Sequence, residues 1–157
     1  MLGVDQPLCN RGPEEAWWGG LRAGYSHHRA ELNLGQSFSD RNDEMGGATR
    51  LQFGSAVAFA GGRWAISRPI RDSFAIVTGH ESLKGFDVNI NEMSSGAEAQ
   101  LNSLGPAVVA DVQSYYPRPI QIEPPEDLDF GYDLGPSVYS LHSTYRSGAR
   151  IIIGSEP

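Results

Sequence analysis

Apolar and polar residues alternate along the chain from Trp17, with the period of two that a half-buried β-strand requires. Gly61-Gly62 predicts a tight turn late in this segment. The pattern therefore predicts four antiparallel strands in a meander with one aromatic and aliphatic face. The apolar positions of the four runs are Leu21, Ala23 and Tyr25; Ala30, Leu32, Leu34 and Phe38; Leu51, Phe53, Val57 and Phe59; and Trp64 and Ile66.

A one-sided meander of this kind suits two environments. In an outer-membrane barrel the apolar face contacts lipid and the polar face lines the lumen, whereas in a soluble sandwich the apolar face covers a core. Half-buried strands of soluble proteins are far commoner, so alternation alone favours the soluble interpretation. Residues 1–15 combine glycine, proline and charge without a period, and we expect this lead-in to be disordered.

A second region, residues 69–157, contains shorter apolar runs separated by proline and glycine. We predict a small β-sandwich, in which the continuous run Ile151–Ile153 is a strand covered on both faces. Pro117, Pro119, Pro124 and Pro125 are excluded from central strands because proline cannot donate to the ladder. The predicted strands are Phe74–Thr78, Phe86–Ile90, Ala107–Val112, Ile120–Glu123 and Ala149–Ile153.

Charge also divides the chain into two regions. The net charge is −7, and all of the surplus lies in the second part: residues 1–70 carry seven acidic and seven basic residues, and residues 71–157 carry twelve and five. An acidic second region disfavours nucleic acid and anionic lipid as its partners. The 19 glycines and 10 prolines, with no long apolar run, favour many short strands and exclude a membrane-spanning helix.

The sequence offers no catalytic or metal-binding motif. His27-His28 lacks the spacing that places two imidazoles on one helical face, and the lone Cys9 has neither a disulfide partner nor the context of a nucleophile. The acidic string Asp127–Asp133 fails the register of a calcium loop, because glycine stands where an oxygen ligand belongs. We therefore expect no enzyme activity, no metal and no cofactor.

Tyrosine is dense in the second region and lies beside proline and glycine. Tyrosine rings bury a large area at low entropic cost, so these residues are candidate anchors for a protein partner. The alternative is that most of them complete the sandwich core. The four candidate partner-binding residues are Tyr115, Tyr116, Tyr139 and Tyr145.

Four segments from Ser67 onward resemble, in their order and at similar spacing, segments of outer-membrane fimbrial ushers of the chaperone-usher pathway, of the alternative or archaic type. They are Ser67–Val77 (SRPIRDSFAIV), Leu104–Val109 (LGPAVV), Gly131–Pro136 (GYDLGP) and Tyr145–Gly148 (YRSG). None carries chemistry alone, and the specificity of the resemblance lies in their common order. The resemblance extends over roughly Trp17 to Pro157.

The resemblance implies an all-β chain with two parts. Residues 16–68 would be the last strands of the usher barrel, and residues 69–157 the first C-terminal periplasmic β-sandwich domain. The implied function is part of a pilus assembly platform and translocation pore, chiefly docking of periplasmic chaperone-pilin subunit complexes, with no nucleic acid or small-molecule substrate. The implied location is the outer membrane, although Met1–Asp5 lacks the features of a signal peptide. The alternative is a free-standing β-sandwich module that binds carbohydrate or peptide.

Overall fold

The computed structural model describes residues 2–5, 17–41, 44–94, 96–125 and 133–155, and this part of the chain is all-β, as predicted. A single turn of 3-10 helix, Glu81–Leu83, interrupts the strands. Within the described ranges, no helix is long and apolar enough to cross a membrane. The strands are β1 (Leu2–Asp5), β2 (Trp17–His27), β3 (Ala30–Arg41), β4 (Glu44–Gly54), β5 (Ala56–Ala60), β6 (Arg63–Ser67), β7 (Ser73–Gly79), β8 (Val88–Met93), β9 (Gly96–Leu101), β10 (Ala107–Val112), β11 (Pro117–Glu123), β12 (Val138–His142) and β13 (Gly148–Ile153).

Strands β1 to β4 form one antiparallel sheet, hereafter the N-terminal sheet, in the order of the sequence. The β2–β3 ladder runs from Trp17↔Asp40 to His27↔Ala30, so His28 and Arg29 form the turn between the first two strands of the predicted meander. Strand β1 pairs with β2, which differs from the disorder predicted for the lead-in. Its backbone satisfies groups that the β2 edge would otherwise leave unpaired. The remainder of the lead-in, with Cys9, lies outside the described residues.

The third predicted strand is in fact two strands. β4 ends at Gly54 and β5 begins at Ala56, so the alternation continues through Ser55 while the ladder breaks there. The Ser55 hydroxyl lies 3.0 Å from the carbonyl oxygen of Arg29 and 3.2 Å from that of Ser67, which holds the break against two neighbouring segments. β5 and β6 then form a separate hairpin. The predicted glycine turn closes it, with φ of +55° and +75° at Gly61 and Gly62.

The second region is a β-sandwich, as predicted. One sheet has the order β10-β7-β13, with β7 and β13 parallel, and the other has the order β12-β11-β8-β9. Large apolar side chains from both sheets are fully buried between them. Strands β9 and β12 were not predicted; β9 carries a single large apolar residue, Leu101. The large side chains of this core that are almost completely buried are Val77, Val88, Ile90, Val109, Val112, Ile120 and Ile153.

Two prolines lie inside strand β11, at Pro117 and Pro119. Over Pro117–Gln121 this strand pairs with β12, and only Ile122 and Glu123 pair with β8. The backbone N–H of Ile122 donates to Ser137 on the β12 side. By the alternation of an antiparallel ladder, positions 117 and 119 face the open side, where a missing N–H breaks no ladder bond.

A third layer covers the outer face of the β10-β7-β13 sheet. The small residues of the β5–β6 hairpin, Ala58, Ala60 and Ala65, pack against Ile76 and Val108 to form a second buried cluster. Strand β7 is therefore buried on both faces.

The hairpin does not extend over the whole of β13. Its turn at Gly61 ends against Arg150, whose guanidinium donates to the Gly61 carbonyl at 3.0 Å. Ile152 lies beyond this contact and is 54% exposed. The prediction that the run Ile151–Ile153 is covered on both faces is therefore wrong for Ile152.

Adjacent residues of β13 provide a matched test of the sandwich core. Ile153→Ala removes a fully buried side chain, so we expect the free energy of unfolding to fall by about 2–5 kcal/mol. Ile152→Ala, one position along on the outer face, should cost less than about 1 kcal/mol. Urea unfolding of the full chain in mild detergent, followed by circular dichroism, measures both. Equal losses would contradict the assignment of the two faces.

Candidate partner-binding surface

Two turns meet at one end of the sandwich and bring predicted tyrosines together. One turn, residues 113–116, follows β10, and the other, residues 143–147, joins β12 to β13. The backbone N–H of Tyr115 donates to the Ser143 carbonyl at 2.8 Å, and the Ser143 hydroxyl donates to the Gln113 carbonyl at 3.3 Å. Tyr115, Tyr116 and Tyr145 therefore belong to one surface, which we call the tyrosine surface.

A polar network of two buried serines and the partly exposed Asp72 supports this surface from below. The Ser73 hydroxyl donates to the Thr144 carbonyl at 2.7 Å. Ser114 donates to the Asp72 carboxylate twice, from its hydroxyl at 2.5 Å and from its backbone N–H at 2.9 Å. The hydroxyl bond, and then the backbone bond, lower the pKa of Asp72 below its ordinary value. Since Ser73 and Ser114 are both buried, the turns rest on a fully hydrogen-bonded base.

Both turns hold a non-glycine residue in the left-handed region. The φ angle is +64° at Tyr115 and +53° at Arg146, a conformation that costs about 1 kcal/mol or more for such residues. A residue keeps such a backbone conformation only where neighbouring contacts fix it. Here the hydrogen bonds of Ser73, Ser114 and Asp72 fix the two turns. Strained backbone positions cluster at ligand-binding and active sites, so these two turns are a candidate binding surface.

The exposed fractions of the four tyrosines separate them into two groups. Tyr115, Tyr116 and Tyr145 are 72%, 62% and 61% exposed, and the Arg146 guanidinium lies 5.2 Å from the centroid of the Tyr145 ring. Tyr139 differs, because it packs against the sandwich core from strand β12, paired with Ile120. Of the four tyrosines predicted from the sequence, three lie together on the tyrosine surface, and the fourth, Tyr139, lies on strand β12.

Sequence reasoning missed an ionic cluster that surrounds the buried carboxylate of Glu98. Arg118 donates from one nitrogen to both carboxylate oxygens of Glu98, at 2.8 and 2.7 Å. Asn91 donates to the same carboxylate at 2.7 Å, and Arg68 lies 3.4 Å from it. Arg68 also pairs with Asp111 at 2.8 Å, and Arg118 donates to the Asp111 carbonyl. Only 4% of the Glu98 side chain is exposed, so the arginines and Asn91 together compensate its burial.

The cluster lies against the turn of the first hairpin. The His28 ring nitrogen Nδ1 is 3.4 Å from the Glu98 carbonyl oxygen, and the His28 carbonyl accepts from the backbone N–H of Arg68 at 3.1 Å. Burial is the main cause that lowers the pKa of His28, followed by the charge of His27. His28 is thus a packing residue at the junction of the N-terminal sheet with the sandwich.

The described residues hold no group of three or more His, Cys, Asp or Glu side chains placed to bind a metal. Asp127 and Asp129 lie outside them. Asp133, the described acid of that string, accepts from the backbone N–H of Gly135 at 2.8 Å, which is a turn contact.

A polar groove of about 440 Å³ lies on the other side of the sandwich, beside β8 and β9. Its walls combine one aromatic ring, two amides and three carboxylates, and the Gln100 amide donates to Asn89 at 3.2 Å. Rings, amides and carboxylates of this kind are the groups that carbohydrate and peptide sites use. The side chains are Phe86, Asp87, Asn89, Glu92, Gln100 and Glu123.

No protein-family model and no curated protein sequence matches the chain. Among solved structures, the Bacillus anthracis TIE protein aligns with 95% of this chain, at 8% sequence identity and a TM-score of 0.32. The chain spans about a quarter of that protein's length, since the alignment covers 26% of it. A similarity at this TM-score carries no argument about fold or function.

Removing the charge of Glu98 tests the ionic cluster. Glu98→Gln leaves Arg118 without a carboxylate partner in a partly buried position, so we expect a loss of about 2–3 kcal/mol in the free energy of unfolding. Glu81→Gln is the control, because Glu81 pairs with Lys84 at the surface, and no measurable change is expected. Urea unfolding measures both variants. A stability of Glu98→Gln equal to that of the unmodified chain would contradict a structural role for the cluster.

Proposed function

We propose that this chain is part of an outer-membrane usher, in which the N-terminal sheet and the β5–β6 hairpin contact lipid and the sandwich docks chaperone-pilin subunit complexes. The observation that carries the proposal is an inverted burial pattern. Large apolar side chains of the first region are exposed on one face, while small or polar side chains lie on the other. The resemblance of four sequence segments to ushers supports the same conclusion.

The inversion is clearest in the β5–β6 hairpin. Phe59 and Trp64 are 51% and 66% exposed, while the alanines of the opposite face are buried against the sandwich. In water the larger side chains gain more from burial, at about 25 cal/mol per Å² of apolar surface. A hairpin that buries alanine and exposes tryptophan suits an apolar medium on its outer side.

The N-terminal sheet continues the pattern over three long strands. Its central row on the apolar face joins Ala23, Leu34 and Leu51, with Tyr25, Leu32 and Phe53 in the row beside it. The opposite face carries Arg22, Gly35 and Arg50 in one row and Gly24, Asn33 and Gln52 in the next. Apolar residues toward lipid and small or polar residues toward a lumen are the alternation of outer-membrane strands.

Strand length agrees with the same environment. Strand β3 has 12 residues, which extend over about 40 Å at about 3.3 Å per residue. A tilt of about 45° brings this close to the roughly 25 Å apolar band of an outer-membrane barrel. The turn at His28 and Arg29 then lies at the sandwich end of the sheet, on the periplasmic side.

The sandwich provides the docking function in this proposal. The tyrosine surface presents three exposed rings on rigid turns, and aromatic anchors commonly dominate the energy of protein contacts. An assembly platform must release each complex as the next arrives. We therefore expect a dissociation constant in the micromolar range, which corresponds to a binding free energy on the order of −8 kcal/mol.

Adjacent positions on β3 test the membrane assignment. Leu34→Asp places a charge at the centre of the apolar face and should lower partitioning of the full chain into lipid vesicles at least severalfold, because a charge on the lipid-facing side is costly. Asn33→Asp, the next residue on the opposite face, adds the same charge and should leave partitioning unchanged. Flotation with phosphatidylcholine vesicles measures both. If the two variants float equally, the apolar face does not enter lipid.

Substitutions in the tyrosine surface test the docking assignment. Tyr145→Ala and Tyr115→Ala should each weaken binding of chaperone-pilin complexes by about 2 kcal/mol, or roughly 30-fold. Val138→Ala, an exposed change on β12, is the control. Calorimetry with the full chain in detergent, using complexes from the same gene cluster and the chaperone alone, gives the affinities.

The polar groove favours a second candidate function, a free-standing module that binds carbohydrate. A clear signal on a glycan array, lost in Gln100→Ala, together with no binding of any chaperone-pilin complex, would replace the usher proposal with this one. Complex binding that depends on Tyr145, with no glycan signal, would exclude it.

A further inference from the structure

A second, mainly apolar groove of about 230 Å³ lies between the β5–β6 hairpin and the turn that joins β9 to β10. The hairpin contributes Val57, Trp64 and Ile66, and the turn contributes Leu104, which is 74% exposed, and Pro106. One cation, Arg29 of the first hairpin turn, completes the wall. The groove is thus an apolar channel with a single charged group.

The charge of Arg29 has no carboxylate partner within ion-pairing distance among the described residues. Its guanidinium donates to the Asn102 side-chain oxygen at 3.0 Å and to the carbonyl oxygens of Leu104 and Gly105 at 3.2 and 3.5 Å. These acceptors are neutral, so they fix the position of the guanidinium without compensating its charge. The same contacts fix the turn that presents Leu104. Arg68, the nearby arginine, is already paired with Asp111 and Glu98.

We infer that this groove binds an anionic phospholipid, with the headgroup phosphate beside Arg29 and an acyl chain along Trp64 and Leu104. An uncompensated cation beside apolar walls is complementary to an anionic group joined to a hydrocarbon chain. Val57 and Ile66 also belong to the exposed apolar face of the hairpin, so the groove is continuous with the surface that we assign to lipid. This inference rests on the proposed membrane function.

The acidic surplus of the chain does not oppose this site. The surplus lies in residues 71–157, whereas Arg29 belongs to the balanced first region, and the lining of the groove contains no carboxylate. The neighbouring His28 adds no positive charge at neutral pH, because burial lowers its pKa. The site also lies at the start of β10, whereas the tyrosine surface lies at its end. Lipid and protein partners would therefore occupy opposite ends of that strand.

Vesicle binding of the full chain tests the inference. Adding phosphatidylglycerol to phosphatidylcholine vesicles should raise partitioning by about fivefold, the effect of one arginine at an anionic bilayer surface. Arg29→Gln should abolish this increase, and added salt should reduce it. Arg22→Gln, an exposed arginine on the polar face of β2, removes the same charge and should retain the increase. Leu104→Ser leaves Arg29 intact and should weaken binding to both kinds of vesicle.

A positional readout separates this site from the rest of the apolar surface. In a Cys9→Ser background, a fluorophore attached to Leu104→Cys should be quenched by brominated phosphatidylglycerol, and one attached to Tyr145→Cys should not. If the chain binds both kinds of vesicle but the phosphatidylglycerol effect survives Arg29→Gln, or Leu104→Cys is not quenched, the inference is wrong and the proposed function stands. If the chain binds neither kind of vesicle, the proposed function fails and the inference fails with it.

Discussion

The architecture depends on strand β7 being buried on both faces. Ala75 and Val77 point into the sandwich, while Ile76 points into the layer below the β5–β6 hairpin, and all three are inaccessible to solvent. A strand with two apolar faces is stable only between two covering layers. The sandwich supplies one layer, so the hairpin must supply the other.

That requirement determines which side chains the hairpin exposes. The space above Ile76 and Val108 accepts alanine at three hairpin positions, and side chains of a strand alternate between its faces. The intervening residues, Phe59 and Trp64 among them, therefore point outward. The exposed apolar surface of the hairpin is a geometric consequence of the packing below it. Like the N-terminal sheet, the hairpin has large apolar side chains exposed on one face and small or polar side chains on the other. Both surfaces expose large apolar side chains, and this shared feature is the basis on which the proposed function assigns them to lipid.

The sequence predicts where the strands of this protein lie better than it predicts how they pair and pack. Alternation located β2, β3 and β6 and the Gly61-Gly62 turn, because period two is a local property of each strand. It did not reveal that the ladder breaks at Ser55, since the alternation passes through that residue unchanged. Ile152 was misjudged for a similar reason: an apolar run indicates two covered faces, but the length of the opposing hairpin decides how far the cover extends.

The candidate site shows the same division between local and long-range information. Tyr115 and Tyr116 could be grouped from sequence because they are adjacent. That Tyr139 lies on strand β12 and packs against the sandwich core could not be inferred from its sequence neighbours. Glu98 gave no signal, since a single carboxylate between alanines is ordinary at a surface. Its burial follows from arginines that lie 30 residues before it and 20 residues after it.

The Glu98 cluster also joins the parts of the chain that carry the two proposed surfaces. Arg68 follows directly after β6, Glu98 lies on β9 and Arg118 lies on β11, so one buried carboxylate connects the end of the hairpin with the second sheet of the sandwich. Separating the layers would leave a buried charge without partners, which costs more than losing an exposed ion pair. The hairpin that faces the proposed lipid surface is therefore held in a fixed orientation to the sandwich. The tyrosine turns rest on the same sandwich through Ser73 and Ser114. Under the proposed function, that orientation would also set the direction in which a docked partner is presented relative to the membrane.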